Sequence, residues 1–115
     1  MIAVIFEVVP KPGCKEAYLE IAAELRPHLE AIDGFVSVER FQSLSDPDKI
    51  LSLSVFESEA ALEAWRNLPP HRSAQGRGRR ELFADYRIRV AAVLRDYGLD
   101  ERDEAPADSR EAHTP

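Results

Sequence analysis

A single cysteine, Cys14, rules out an intrachain disulfide and any metal site built from cysteines. The apolar run Ile2–Val9 is interrupted by Glu7 and stopped by Pro10, Pro12 and Gly13. It has neither the form of a secretory leader nor the ~20 residues a membrane span needs, so a cytoplasmic protein without a membrane partner is expected. GxGxxG, P-loop, HExxH and CxxC motifs are all missing, which leaves nucleotide, flavin and zinc chemistry without a sequence signature. Positive charge is also in deficit, with a formal net charge of −6, and this argues against a nucleic-acid partner. The imbalance is uneven. Beyond Leu99, six acids face only Arg102 and Arg110, giving that segment a net −4.

What the chain does have is the composition of one soluble domain: 115 residues, 44% hydrophobic and 31% charged. Ile2–Val9 reads as a strand with apolar residues on both faces, which suits a central position in a sheet. A helix is predicted from Cys14 to Ile32, with Tyr18, Ile21, Ala22, Leu25, Leu29 and Ile32 at helical spacing. Pro27 should kink or divide it, and Asp33-Gly34 signals its end. Two strands, Phe35–Gln42 and Lys49–Glu57, flank the Asp- and Pro-rich turn 44–48. Ser58 offers an N-cap to a helix that reaches about Asn67 and carries the only Trp, Trp65. A short helix from His71 to Leu82, weakened by Gly76 and Gly78, precedes a last strand over Phe83–Val93. From Asp100 onward no apolar periodicity remains, so residues 100–115 are expected to be an acidic disordered tail to a domain spanning 1–99.

The order β-α-β-β-α-β is the split βαβ, ferredoxin-like plan of the α+β class: four antiparallel strands with helices on one face. The second sheet face has no cover in so short a chain, and pairing of two sheets as a homodimeric barrel would supply it. Alternation puts Leu51, Leu53 and Val55 on one face of the third strand and Ser52, Ser54 and Phe56 on the other. The mixed face suggests a lined pocket or a partner. Glu39 and Ser37 are expected to join Ser52 and Ser54 there, with Arg87 or Arg89 as hydrogen-bonding partners.

Each candidate has a plain alternative. Trp65 reads as core or as pocket lining. His71 reads as a proton acceptor or axial iron ligand, or as a capping residue paired with Gln75. The Glu–Arg network reads as a site or a dimer lock. Arg72, Arg77, Arg79 and Arg80 read as a solvated helix face or an anion site. His28 and His113 have no metal-ligand spacing with His71, and no metal site is predicted.

The residues Phe6-Glu7-Val8, Pro12-Gly13, Tyr18, Leu25-Arg26-Pro27, Gly34-Phe35, Leu51-Ser52-Leu53-Ser54, Trp65, His71 with Gln75, and Phe83-Ala84-Asp85-Tyr86 together resemble the antibiotic biosynthesis monooxygenase domain. The resemblance covers residues 1–97. It implies a dimeric α+β barrel and a monooxygenase acting on an aromatic or polyphenolic small molecule with O₂ and no cofactor. In that branch an Asn one turn before the Trp and an Arg on the last strand are associated with activity. Here the Asn position is Ala61, and Arg87 or Arg89 supplies the Arg. The resemblance then implies His71 for proton transfer, Arg87 for anion stabilisation and Trp65 for stacking, with Glu39, Ser52, Ser54, Phe56 and Arg89 holding substrate. A haem-degrading branch, which pairs the helix Trp with a following His, and a binding module that has lost the chemistry are the alternatives.

Overall fold

The computed structural model describes residues 1–113. Its elements are β1 (Ile2–Pro10), α1 (Lys15–Glu30), β2 (Phe35–Gln42), β3 (Ile50–Phe56), α2 (Glu59–Arg66), α3 (Pro69–Arg77), a π-helical turn (Gly78–Leu82), β4 (Phe83–Ala92) and a short α4 (Ala107–Ala112). The strands form one antiparallel sheet in the order β2-β3-β1-β4, the expected ferredoxin-like plan.

Register decides which side chains share a face, since partners directly opposite point the same way. Val4, Phe6 and Val8 of β1 stand opposite Ser54, Ser52 and Ile50 of β3, and opposite Val90, Ile88 and Tyr86 of β4. This face is covered by the helices. Ala3, Ile5 and Glu7 share the uncovered face with Val55, Leu53 and Leu51, and with Ala91, Arg89 and Arg87. In β2 the register shifts between Phe35 and Ser37. That irregularity puts Phe35 on the covered face with Val38 and Arg40, and leaves Ser37 and Glu39 on the uncovered one.

The core forms two clusters under the helices. Leu29, Val38, Phe56, Ala61, Leu62 and Trp65 make one. Val8, Tyr18 and Ile50, with Phe6, Phe83 and Tyr86 packed against them, make the other. Phe56 and Val8 are completely buried, each worth about 1.5–3 kcal/mol by transfer from water.

Three local expectations are revised. Pro27 does not divide α1, because Pro27 and Ala23 are both exposed and water can serve the Ala23 carbonyl that loses its amide partner. The helix expected from His71 begins at Pro69, which sits at the first helical position, where a missing N–H costs nothing. The segment after Leu99 contains α4 and a buried Ala105. There Arg102 lies over Tyr97 at 5.3 Å and donates to the carbonyls of Gly98 and Ser109. Residues 114–115 of the expected tail lie outside the described residues.

Candidate functional site

Residues of both core clusters line a single cavity of about 410 Å³ between the helices and the sheet. This is the size range of a small-molecule site. Ser52 and Ser54 lie on its floor with Val4 and Phe6, and it extends to Ile88 and Val90 of β4. Those two side chains are 54% and 52% exposed, so the cavity opens along the β4 edge.

One wall is built by the turn from α2 into α3. Ser58 caps α2, its Oγ accepting from the Ala61 amide at 3.2 Å. The cap fixes the phase that buries Leu62 and Trp65. Leu68, extended as the residue before a proline prefers, then reverses the chain. His71 is thereby carried back onto Trp65, their rings stacked at 4.0 Å and 17°. His71 Nδ1 lies 3.0 Å from the Trp65 carbonyl. A carbonyl only accepts, so this shorter contact favours the proton on Nδ1 over the alternative in which Gln75 Nε2, 3.3 Å away, donates to Nδ1. His71 then has no hydrogen-bond partner at Nε2 among the described residues. The Gln75 amide is pinned beside it: Nε2 donates to the Arg66 carbonyl at 3.2 Å, and Oε1 accepts from Arg72 at 3.0 Å. Burial lowers the His71 pKa below its ordinary 6.5; the bond to Trp65 opposes this and the Arg72 charge adds to it. The lowered pKa favours the neutral imidazole at neutral pH, with Nδ1 held at the Trp65 carbonyl.

Phe6, Tyr18, Phe83 and Tyr86 also line the cavity, an aromatic group with centroids 5.7–6.5 Å apart. Arg40 Nε donates to the Tyr18 hydroxyl at 3.3 Å.

Of the residues singled out in the sequence, Trp65, His71, Ser52 and Ser54 meet in this cavity. Phe56 does not. It lies wholly in the core, edge-on to Phe35 at 6.0 Å. Glu39, Arg87 and Arg89 are on the uncovered sheet face, and the expected network with Ser52 and Ser54 does not form, because Glu39 stands opposite Leu53 rather than either serine. Arg89 pairs with Glu7 at 3.4 Å, an exposed contact worth ~0–1 kcal/mol. From the sheet, the cation that lines the cavity is Arg40, which sequence reasoning passed over. Its alternation with Val38 is visible, but the pairing with Ser52 depends on the hairpin register.

The antibiotic biosynthesis monooxygenase family model matches residues 1–77, about two thirds of the chain. The chain belongs to this family. The family match stops at the end of α3, so the π-helical turn and β4, which complete the cavity, lie beyond it. A protein of Pyricularia oryzae named jasmonate monooxygenase is 47% identical over 93 residues, covering 81% of this chain. The chain spans 43% of that relative's length. Among solved structures, Rv0793 of Mycobacterium tuberculosis superposes with a TM-score of 0.76 at 21% identity, over 84% of this chain and 98% of its own. SO0527 of Shewanella oneidensis gives 0.72 at 19% identity, over 78% and 87%. At such identities these likenesses speak to the fold alone.

Proposed function

We propose that this family member is a monooxygenase that oxidises a small aromatic or polyphenolic molecule in the helix–sheet cavity, using O₂ and no bound nucleotide or metal. The observation that carries the reading is the place of His71: stacked on Trp65, with Nδ1 3.0 Å from the Trp65 carbonyl, in a cavity of ligand size. Its Nε2 would take a proton from an activated C–H or O–H of the substrate. Hydroxyls of Ser52 and Ser54 on the floor would donate to the substrate oxygen as charge develops there. The electron-rich anion would then reduce O₂, form a C–O bond as a peroxide, and lose water on O–O cleavage. For a methylene flanked by rings, one CH₂ and one O₂ give one C=O and one H₂O. The indole of Trp65 has one face occupied by His71, so its part is to position the base. Arg87 and Arg89, on the far face, take no part in this chemistry.

The name of the Pyricularia oryzae relative favours a second substrate class. Jasmonate is a cyclic ketone whose carbonyl acidifies adjacent C–H bonds, so the same base would serve. Haem is the competing use of His71, because an iron would occupy the Nε2 that the proton transfer needs. An oxygen electrode with a substrate panel distinguishes these readings. Substrate-dependent O₂ uptake without added hemin, reduced ~10²-fold or more in His71→Gln, is expected. Unchanged uptake in the variant defeats the mechanism. Ligand binding without uptake makes the protein a binding module, and a Soret shift on adding hemin that disappears in His71→Gln favours haem.

The same proposal includes a homodimer. Ile5, Val9, Leu51, Leu53 and Val55 form an apolar patch on the sheet face opposite the cavity, which no helix among the described residues covers. A second copy is the partner whose matching face would bury it. Sedimentation at micromolar concentration showing only monomer would overturn the pairing.

A further inference from the structure

The charge of the cavity is opposite to that of the chain. Arg26, Arg40, Arg66, Arg72 and Arg79 line it and no Asp or Glu among the described residues does, although the chain has 21 acids against 15 lysines and arginines. Most of these arginines are exposed and two have neighbours to serve. Arg26 pairs with Glu30 at 2.8 Å, and Arg72 donates to the neutral acceptors Asn67 and Gln75.

Arg40 differs from the rest. It is half-buried on β2 opposite Ser52, and none of the ion pairs among the described residues involves it. Only its Nε is engaged, by the Tyr18 hydroxyl, with the guanidinium 5.8 Å from the Tyr18 ring. Nη1 and Nη2 have no hydrogen-bond partner among the described residues. A partly desolvated guanidinium is costly unless an anion answers it. The two free nitrogens present the planar fork that fits both oxygens of a carboxylate. Tyr18 accepts from Nε, so its own proton is left to donate to the same anion.

We infer that the ligand of this cavity carries a carboxylate, held by Arg40 and Tyr18 at one end while its apolar body reaches the Trp65–His71 wall. This deepens the substrate class of the proposed oxygenase and rests on the same cavity being its site. It makes Arg40 a specificity residue, setting which molecules enter rather than what happens to them. A neutral ring compound would lose the only charge-matched contact on the sheet side of the cavity.

Titration calorimetry under anaerobic conditions tests the inference without turnover. The probes are two pairs that share a body and differ in charge: 2-naphthoate with its methyl ester, and jasmonate with methyl jasmonate. In at least one pair the carboxylate should bind about tenfold or more tightly than the ester, as charge-assisted bonds imply. Raising NaCl should narrow the gap. Arg40→Gln should bring the ratio to about one by weakening the acid alone, and Tyr18→Phe should reduce it several-fold. Arg40→Lys keeps the charge without the fork and should give an intermediate ratio, and it decides the matter where the Gln variant does not fold. Esters bound as tightly as acids overturn the inference. So does a full acid preference in the Arg40 variants, or failure of both acids to bind at millimolar concentration. O₂ uptake is measured separately. An intact acid preference without uptake refutes the oxygenase reading alone, and uptake without an acid preference refutes this inference alone.

Discussion

Replacing Gly78 by Ala should destabilise the protein, while the same change two residues earlier should not. Gly78 is buried in the π-helical turn that closes the cavity. A Cβ there would stand 2.4 Å from Phe83 Cε2 and 2.6 Å from its Cζ, far inside the ~3.5–4.0 Å of a carbon–carbon contact. The ring has little freedom to withdraw. Phe6, Tyr18 and Tyr86 pack around it with centroids 5.8, 5.7 and 5.9 Å away. Overpacking of this kind costs about 1–3 kcal/mol, and the Gly→Ala gain in the unfolded chain returns about 0.4–1 kcal/mol. A net loss of about 1–2 kcal/mol would lower Tm by roughly 3–10 °C in a domain of this size. At Gly76 the added methyl meets the end of the Arg80 side chain, Nη1 at 2.8 Å, which is free to swing into solvent. Gly76→Ala should therefore match the wild type or exceed it. Circular dichroism melts of both variants read the difference, and Phe83→Leu should restore most of what Gly78→Ala loses by vacating the contested space. A Gly78→Ala protein as stable as the wild type would show that the turn adjusts freely and that this reading of the cavity wall is mistaken.

The lowered pKa of His71 means that, as pH falls past the ordinary 6.5, the unfolded chain protonates first and stability declines until the folded imidazole protonates too. Urea titrations at pH 7.5 and 5.0 should show wild type losing more stability than His71→Gln, and parallel losses would contradict this. Arg87→Gln and Arg89→Gln change the sheet face proposed to pair in the homodimer and leave the lining of the cavity intact. Ligand affinity in either variant should equal that of the wild type, and a tenfold drop would mean that this face reaches the site. A truncation after Leu99 should cost no more than a few degrees of Tm, since Arg102 reaches back only to Tyr97 and Gly98, beyond the end of β4, and otherwise bonds Ser109 in its own segment. A larger fall would show that this segment supports the domain.

The order of elements and the covered sheet were legible along the chain because each rests on local signals. Strand alternation, helical spacing, the Ser58 cap and the Asp33-Gly34 stop are all contained within a few residues. Gly34 does adopt the left-handed φ of +89° that such a stop requires. Trp65 and His71 were also legible as residue types, an aromatic and an imidazole on either side of two prolines. Their stacking was not, because it follows from the path of the chain through Leu68 and Pro69.

Register is where sequence reasoning stopped. Alternation sorts the residues of one strand into two sets, but it does not say which set of β2 or β4 joins which set of β3. A slip of one residue exchanges the faces entirely. The irregularity between Phe35 and Ser37 and the pairing of Glu7 with Arg87 are settled by contacts between segments distant in sequence. They moved Glu39, Arg87 and Arg89 out of the candidate site and placed Arg40 beside Tyr18. Composition and periodicity therefore determined that the chain makes a two-faced sheet under helices. Only tertiary pairing decided which charges face the cavity, because charge carries no preference for either face until a neighbouring strand fixes the pleat.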